Sequence, residues 1–177
     1  FTHFVEHFTE IHGKSWGIIG LGAIGRRVAE IARAFGAKVI YYSTSGAPAQ
    51  EGYEQVDFET LLTQSDIISV HAPLNKHTEG LIDRETFEKM KPSCIFLNLG
   101  RGPIVDEQAL YDALVRNQIA AAGLDVLCEE PMSASNPLLK IKDSKRLLIT
   151  PHIAWASVEA RTHLMEIIHG QVKDFFA

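Results

Sequence analysis

Several residues have the types for proton transfer and for pairing with a carboxylate, and they lie late in or just past short apolar runs. Arg101 sits in NLGRGP, where Gly100 and Gly102 leave its guanidinium open. The fixed fork of that group pairs with a carboxylate through two hydrogen bonds, although one of the chain's own acids could serve equally as partner. His152 follows Pro151 in TPHIAWAS. An imidazole with a carboxylate neighbour gives and takes a proton near neutral pH. Glu129 and Glu130 stand together before Pro131, and either could be that neighbour. Asp125, inside the apolar AAGLDVL, is an acid late in a buried run and needs donors, which a cofactor amide could supply.

A second signal is the glycine spacing in SWGIIGLGAIGRRVAEIARAFG, where Gly20, Gly22 and Gly25 follow a strand-like run and open a helical pattern. Such a turn lets backbone amides approach a pyrophosphate, and the positive helix end holds its charge. The apolar Ile24, Val28, Ile31 and Ala32 recur at helical spacing after it, the context this motif requires. The stretch reads as a dinucleotide seat.

Alternating strands and helices must position these groups. Strands are expected at Ser15 to Gly20, Lys38 to Ser43, Ile67 to His71, Cys94 to Leu99, Ala121 to Val126 and Leu147 to Thr150. Helices are expected at Ile24 to Phe35, Asp57 to Gln64, Arg84 to Met90, Asp106 to Asn117 and Ser157 to Phe176. Cys94 to Leu99 is a continuous apolar run of the kind found in sheets covered on both faces. The terminal helix carries an apolar stripe from Val158 to Phe175. Short connections between such units give an α/β, doubly wound parallel sheet of the Rossmann type, with its ligand at the carboxyl ends of the strands. STSGAPAQEGY reads as turn, and Cys128 to Ser144 as an irregular functional loop.

With 177 residues, 46% of them apolar, one core is expected, and a net charge of -5 gives nothing to attract nucleic acid or an anionic membrane. No apolar segment approaches the roughly 20 residues that cross a bilayer, and the first residues lack a secretion signal's layout, so a cytoplasmic protein is expected. Cys94 and Cys128 lack ligand or CxxC spacing, and neither a metal nor a thiol nucleophile is expected. The His3 and His7 pair reads as one face of a connecting helix rather than a metal site.

GLGAIG, HAPL, NLGRGPIVDE, AGLDVLCEEP and TPHIAWAS, in this order, resemble the NAD(P)-binding domain of the D-isomer-specific 2-hydroxyacid dehydrogenases. The resemblance implies a hydride transfer between NAD(P)H and C2 of a small 2-oxo acid. It implies that Arg101 grips the substrate carboxylate and keto oxygen, that His152 is the acid–base and that Glu130 is its partner. Asp125 would orient the nicotinamide amide, and Trp155 would lie near the substrate side chain. The implied cofactor positions are Gly20, Gly22, Ala23, Ile24, Gly25, Ser43, Thr44, His71, Ala72, Pro73 and Asp125.

The second strand ends in Ser43 where this family carries an acid for the ribose hydroxyls, which leaves NAD and NADP both open. Thr44, Ser45 and Gly46 bring no cation for a 2′-phosphate, so hydroxyls alone would serve there. The family also has a second, substrate domain, and the chain is expected to be a fragment or excised domain. On that expectation residues 1–13 connect to the other domain, residues 157–177 return to it, and the piece turns over poorly. A homodimer through the cofactor domain is implied, with the aromatic N-terminal stretch or the Asp106 to Asn117 helix contributing. The alternative is a non-catalytic, dinucleotide-sensing module of the corepressor type.

Overall fold

The computed structural model describes residues 8–143 and 145–176. Seven strands form one parallel sheet: β1 (Ser15–Ile19), β2 (Lys38–Tyr42), β3 (Glu54–Gln55), β4 (Ile67–Val70), β5 (Ile95–Asn98), β6 (Ala121–Leu124) and β7 (Leu147–Ile149). Their spatial order is β3-β2-β1-β4-β5-β6-β7, and all six neighbouring pairs are parallel. The chain builds outward from β1 in one direction, then returns to β1's other side with β4. Between β1 and β4 lies the point where a doubly wound sheet opens a crevice for its ligand.

Strand periodicity sends successive side chains to opposite faces, and β1 shows it. Ile18 packs with Ala29, Ala32 and Val39 under α1 (Ala23–Ala34), whereas Ile19 packs with Leu61, Ile68 and Val70 on the other side. That second face is covered by α2 (Phe58–Gln64), α3 (Arg84–Lys89) and α4 (Glu107–Val115), which contribute Leu61, Phe87 and Leu110 to its core. Asp57, Asp83 and Asp106 cap α2, α3 and α4, each accepting a backbone amide of the first turn. Ser157 does the same for α5 (Val158–Phe175).

Several expectations need correction. The sheet has a seventh strand, because Glu54–Gln55 pairs with Ile40 and Tyr41 just past the segment read as turn. In α1 the buried residues are Gly25, Ala29 and Ala32, while Ile24 and Ile31 are exposed. The helix sits so close to the sheet that a Cβ on Gly25 would overlap the Gly20 carbonyl, so small residues face inward and the isoleucines are left outside. The sheet is not covered on both faces at β5, where Ile95 is exposed and Phe96 buried. No residue of α5 is buried, so its apolar stripe packs on nothing among the described residues. Helix α4 stops at Val115, and Asn117 takes a left-handed conformation with φ 58°. Of the N-terminal stretch only residues 8–13 are described, and the His3–His7 pair lies outside the described residues. Among the described residues no helix is long and apolar enough to cross a membrane.

Candidate active site

The carboxyl edge of the sheet carries the expected groups in a line: Ser43 after β2, the glycine turn after β1, His71 after β4, Arg101 after β5, Asp125 and Glu130 after β6, and His152 after β7. At the β1/β4 switch point a cavity of about 750 Å³ is lined by Gly20, Gly22, Ser43, Thr44, His71 and Pro73, among others.

Each glycine of the turn has its own reason. Gly20 adopts φ 91°, and a Cβ there would come within 2.9 Å of the Ala72 backbone, so the β1 and β4 loops touch only because it is glycine. Gly25 packs against the Gly20 carbonyl. Nothing lies within 4 Å of where a Cβ on Gly22 would stand, which keeps the cavity side of the turn open. Gly22 is also the N-cap of α1 and offers no side chain to it, and the first turn contains no acid. The amides of Ala23, Ile24 and Gly25 therefore have no capping side chain, unlike the first turns of α2 to α5. This cradle fits a dinucleotide's pyrophosphate.

His71 pairs through Nε2 with the Ser69 hydroxyl at 3.0 Å, and Ser69 also accepts from the Trp16 indole at 2.9 Å. Burial pushes the His71 imidazole down to about 4, so it is neutral beside the cavity at physiological pH.

At the far end, His152 Nδ1 lies 2.8 Å from Glu130 Oε2, and the Leu127 amide donates to Glu130 Oε1 at 2.9 Å. The Leu127 amide first, then His152, hold the Glu130 carboxyl below the ordinary range. A carboxylate only accepts, so the imidazole donates a proton from Nδ1 in this pair and Nε2 takes no part in it. Both residues line a cavity of about 490 Å³ with Leu127, Pro131, Met132 and Ile149. Asp125 anchors the loop carrying His152: it accepts from the Thr150 hydroxyl at 2.6 Å and from the amides of Ile153 and Ala154, both at 2.9 Å. Its backbone carbonyl takes the His152 amide, while His152 adopts φ 52°. Burial alone would raise the Asp125 carboxyl, but these hydrogen bonds and the nearby imidazole outweigh it and hold the group below its ordinary value. About one of its four lone-pair sites stays open for a ligand donor.

Arg101 is exposed, with Nη1 donating to its neighbour's carbonyl, Gly100 O, at 2.8 Å. Its link to the His152 pair runs through backbone: a Cβ on Gly102 would overlap Leu127 and Cys128, so the Arg101 turn lies directly on the segment that leads to Glu130. Its guanidinium forms no hydrogen bond or ion pair with Glu130 or His152. Trp155, three residues past His152, is 52% exposed and lines neither cavity.

Sequence reasoning missed three contributors. Arg26 lines the larger cavity beside Ser43 and Thr44, although it lies on α1 far along the chain from them. Gln50 holds Arg26 there, accepting from its Nη1 at 3.1 Å. Glu107 fastens the irregular loop after β6, accepting from the Cys128 amide and the Asn136 side chain, both at 2.8 Å. The loop's proline and asparagine content signals irregular chain, but nothing local marks the acid on α4 that ties it down.

Both cysteines are free, and burial first, with nearby acids second, pushes the Cys94 thiol up to about 12 and Cys128 to about 11. Among the described residues no group of three His, Cys, Asp or Glu could hold a metal ion.

The family model for "D-isomer specific 2-hydroxyacid dehydrogenase, NAD binding domain" matches residues 2–154. The chain belongs to this family. A hydroxypyruvate reductase of Blautia hydrogenotrophica is 45% identical to the domain over 168 residues, 94% of this chain and 51% of that protein. An acyclic imino acid reductase, solved in complex with NADPH and D-Arg, superposes on the domain with a TM-score of 0.89 at 38% identity, covering 99% of this chain and 56% of that one. A D-lactate dehydrogenase from Aquifex aeolicus, complexed with NAD and lactic acid, gives a TM-score of 0.88 at 30% identity, covering 98% of this chain and 57% of that one. The chain thus spans about half the length of these relatives.

Proposed function

We propose that this domain is the cofactor-binding half of an oxidoreductase that moves a hydride between NAD(P)H and C2 of a small 2-oxo acid or D-2-hydroxy acid. The observation that carries the reading is the His152 to Glu130 hydrogen bond of 2.8 Å, on the same sheet edge as the uncapped glycine turn. A bound nicotinamide supplies or accepts the hydride. Protonated His152 gives its Nε2 proton to the oxygen of a 2-oxo acid, and in the reverse direction neutral Nε2 takes it back from the alcohol. Glu130 keeps the proton of the ring's other nitrogen in place and stabilises the imidazolium charge. Arg101 pairs with the substrate carboxylate, Asp125 uses its open lone pair on the nicotinamide amide, and Trp155 borders the substrate side chain.

The compounds for which the relatives are named, hydroxypyruvate, glyoxylate and lactate among them, are small 2-oxo or 2-hydroxy acids, which fits this assignment. A second domain that closes over the substrate, a homodimer and a cytoplasmic setting belong to the same reading. The unburied Leu164, Ile168 and Val172 of α5 support the second domain.

The test uses a panel of 2-oxo acids with NADH and NADPH, and a dinucleotide titration alongside it. Turnover by the complete protein, lost in His152→Ala while dinucleotide binding persists, supports the dehydrogenase. Wild-type protein that binds dinucleotide and turns over none of the panel is instead a sensor.

A further inference from the structure

We propose that the adenosine end of the larger cavity is built for a 2′-phosphorylated ribose, with Arg26 as its cation, so that this domain selects NADP(H) over NAD(H). The inference rests on the dinucleotide reading above and adds the choice between the two cofactors.

The first observation is the charge of the wall. Arg26, Ser43, Thr44, Ser45 and Gln50 lie together on it, and among the described residues no Asp or Glu lines the cavity. In a doubly wound sheet the adenine ribose sits at the end of the second strand, where an acid would accept its hydroxyls and repel a 2′-phosphate. Ser43 stands there instead, and hydroxyls donate to phosphate oxygens as readily as they accept from a ribose.

The second observation is how Arg26 is held. Its Nη1 donates to Gln50 Oε1 at 3.1 Å, while Gln50 donates through Nε2 to the Leu21 carbonyl at 2.8 Å and through its amide to the buried Tyr41 hydroxyl at 2.9 Å. Tyr41 donates in turn to Gln55 on the edge strand. Gln50 therefore ties the glycine turn to the chain after β2 and stations the guanidinium between them. It is a positioning residue.

The third observation is the missing counter-charge. The adjacent Arg27 pairs with Glu30 at 2.6 Å, but among the described residues no carboxylate pairs with Arg26. Its bond to a neutral amide leaves the charge uncompensated and most of its five donors available. A phosphate monoester carries close to two negative charges at neutral pH and accepts the guanidinium fork in two bonds. Its anion would come from the ligand.

Calorimetric titration with adenosine 2′,5′-bisphosphate, AMP, NADPH and NADH tests this without any turnover. Binding of the two 2′-phosphorylated probes is expected to be about ten- to a hundredfold tighter than that of their partners, the range one charge-assisted contact provides. Arg26→Ala removes most of that ratio and changes AMP affinity by less than about threefold, since AMP lacks the group that Arg26 engages. Arg27→Ala keeps the ratio. Because Arg26 is exposed, its truncation leaves the core untouched. Equal binding of all four probes by the wild type, a preference for AMP and NADH, or an Arg26→Ala variant with the ratio intact each overturns the inference and leaves the dinucleotide reading standing. Failure to bind any of the four overturns the dinucleotide reading itself.

Discussion

Glu130 and His152, 22 residues apart in the chain, meet at 2.8 Å with the carboxylate's other oxygen held by the Leu127 amide. The pair is thereby oriented from both sides, and the imidazole turns Nε2 away from the acid.

Glu130→Gln keeps the side chain's shape and removes its charge. The imidazolium then loses its counter-ion, so reduction of a 2-oxo acid by the complete protein is expected to fall about 10- to 100-fold. Glu130→Gln with wild-type turnover would show that this carboxylate takes no part in the reaction.

Asp125→Asn tests the anchor of the loop that carries His152. An amide cannot accept all three bonds from Thr150, Ile153 and Ala154, and the loss is expected to be about 2 kcal/mol in denaturant unfolding. The sign with pH follows from the lowered carboxyl. The wild type's extra stability is complete above the ordinary Asp value and is lost as pH falls through the folded one. The gap between wild type and variant should therefore close on acidification.

His71 gives the opposite residue type the same acid sensitivity. Its folded value is about 4 against 6.5 for an unperturbed imidazole, so the unfolded chain binds the extra proton between those values. Its contribution is complete above about pH 6.5 and declines toward pH 4, by up to about 3 kcal/mol. In His71→Gln, stability measured across that window should fall less steeply than in the wild type.

Gly22→Ala and Gly102→Ala separate ligand space from packing space. The first adds a methyl where nothing lies within 4 Å, so stability should change by less than about 1 kcal/mol while NADPH affinity drops at least about tenfold. The second forces a methyl into the backbone of Leu127 and Cys128, and should cost more than about 2 kcal/mol in thermal unfolding. Equal effects of the two on stability would contradict the geometry of the turn.

The sequence alone determined the order of six of the seven strands and of the five α-helices, the glycine turn and the strand-end placement of Arg101, Asp125 and His152, because apolar period, glycine spacing and capping residues act within a few neighbours. Asp57, Asp83 and Asp106 each start a helix by bonding an amide two or three residues away, which is information carried locally. Choosing Glu130 over Glu129 took a family resemblance, since adjacent acids look alike until a loop is folded. Only the tertiary structure put Arg26 beside Ser43 and gave Asp125 its three loop donors, because side chains on different elements meet through sheet order rather than sequence distance. It also decided which face of α1 is buried. Ile24 and Ile31 carry the hydrophobic pattern, but the close approach of helix to sheet at Gly25 admits only Ala29 and Ala32.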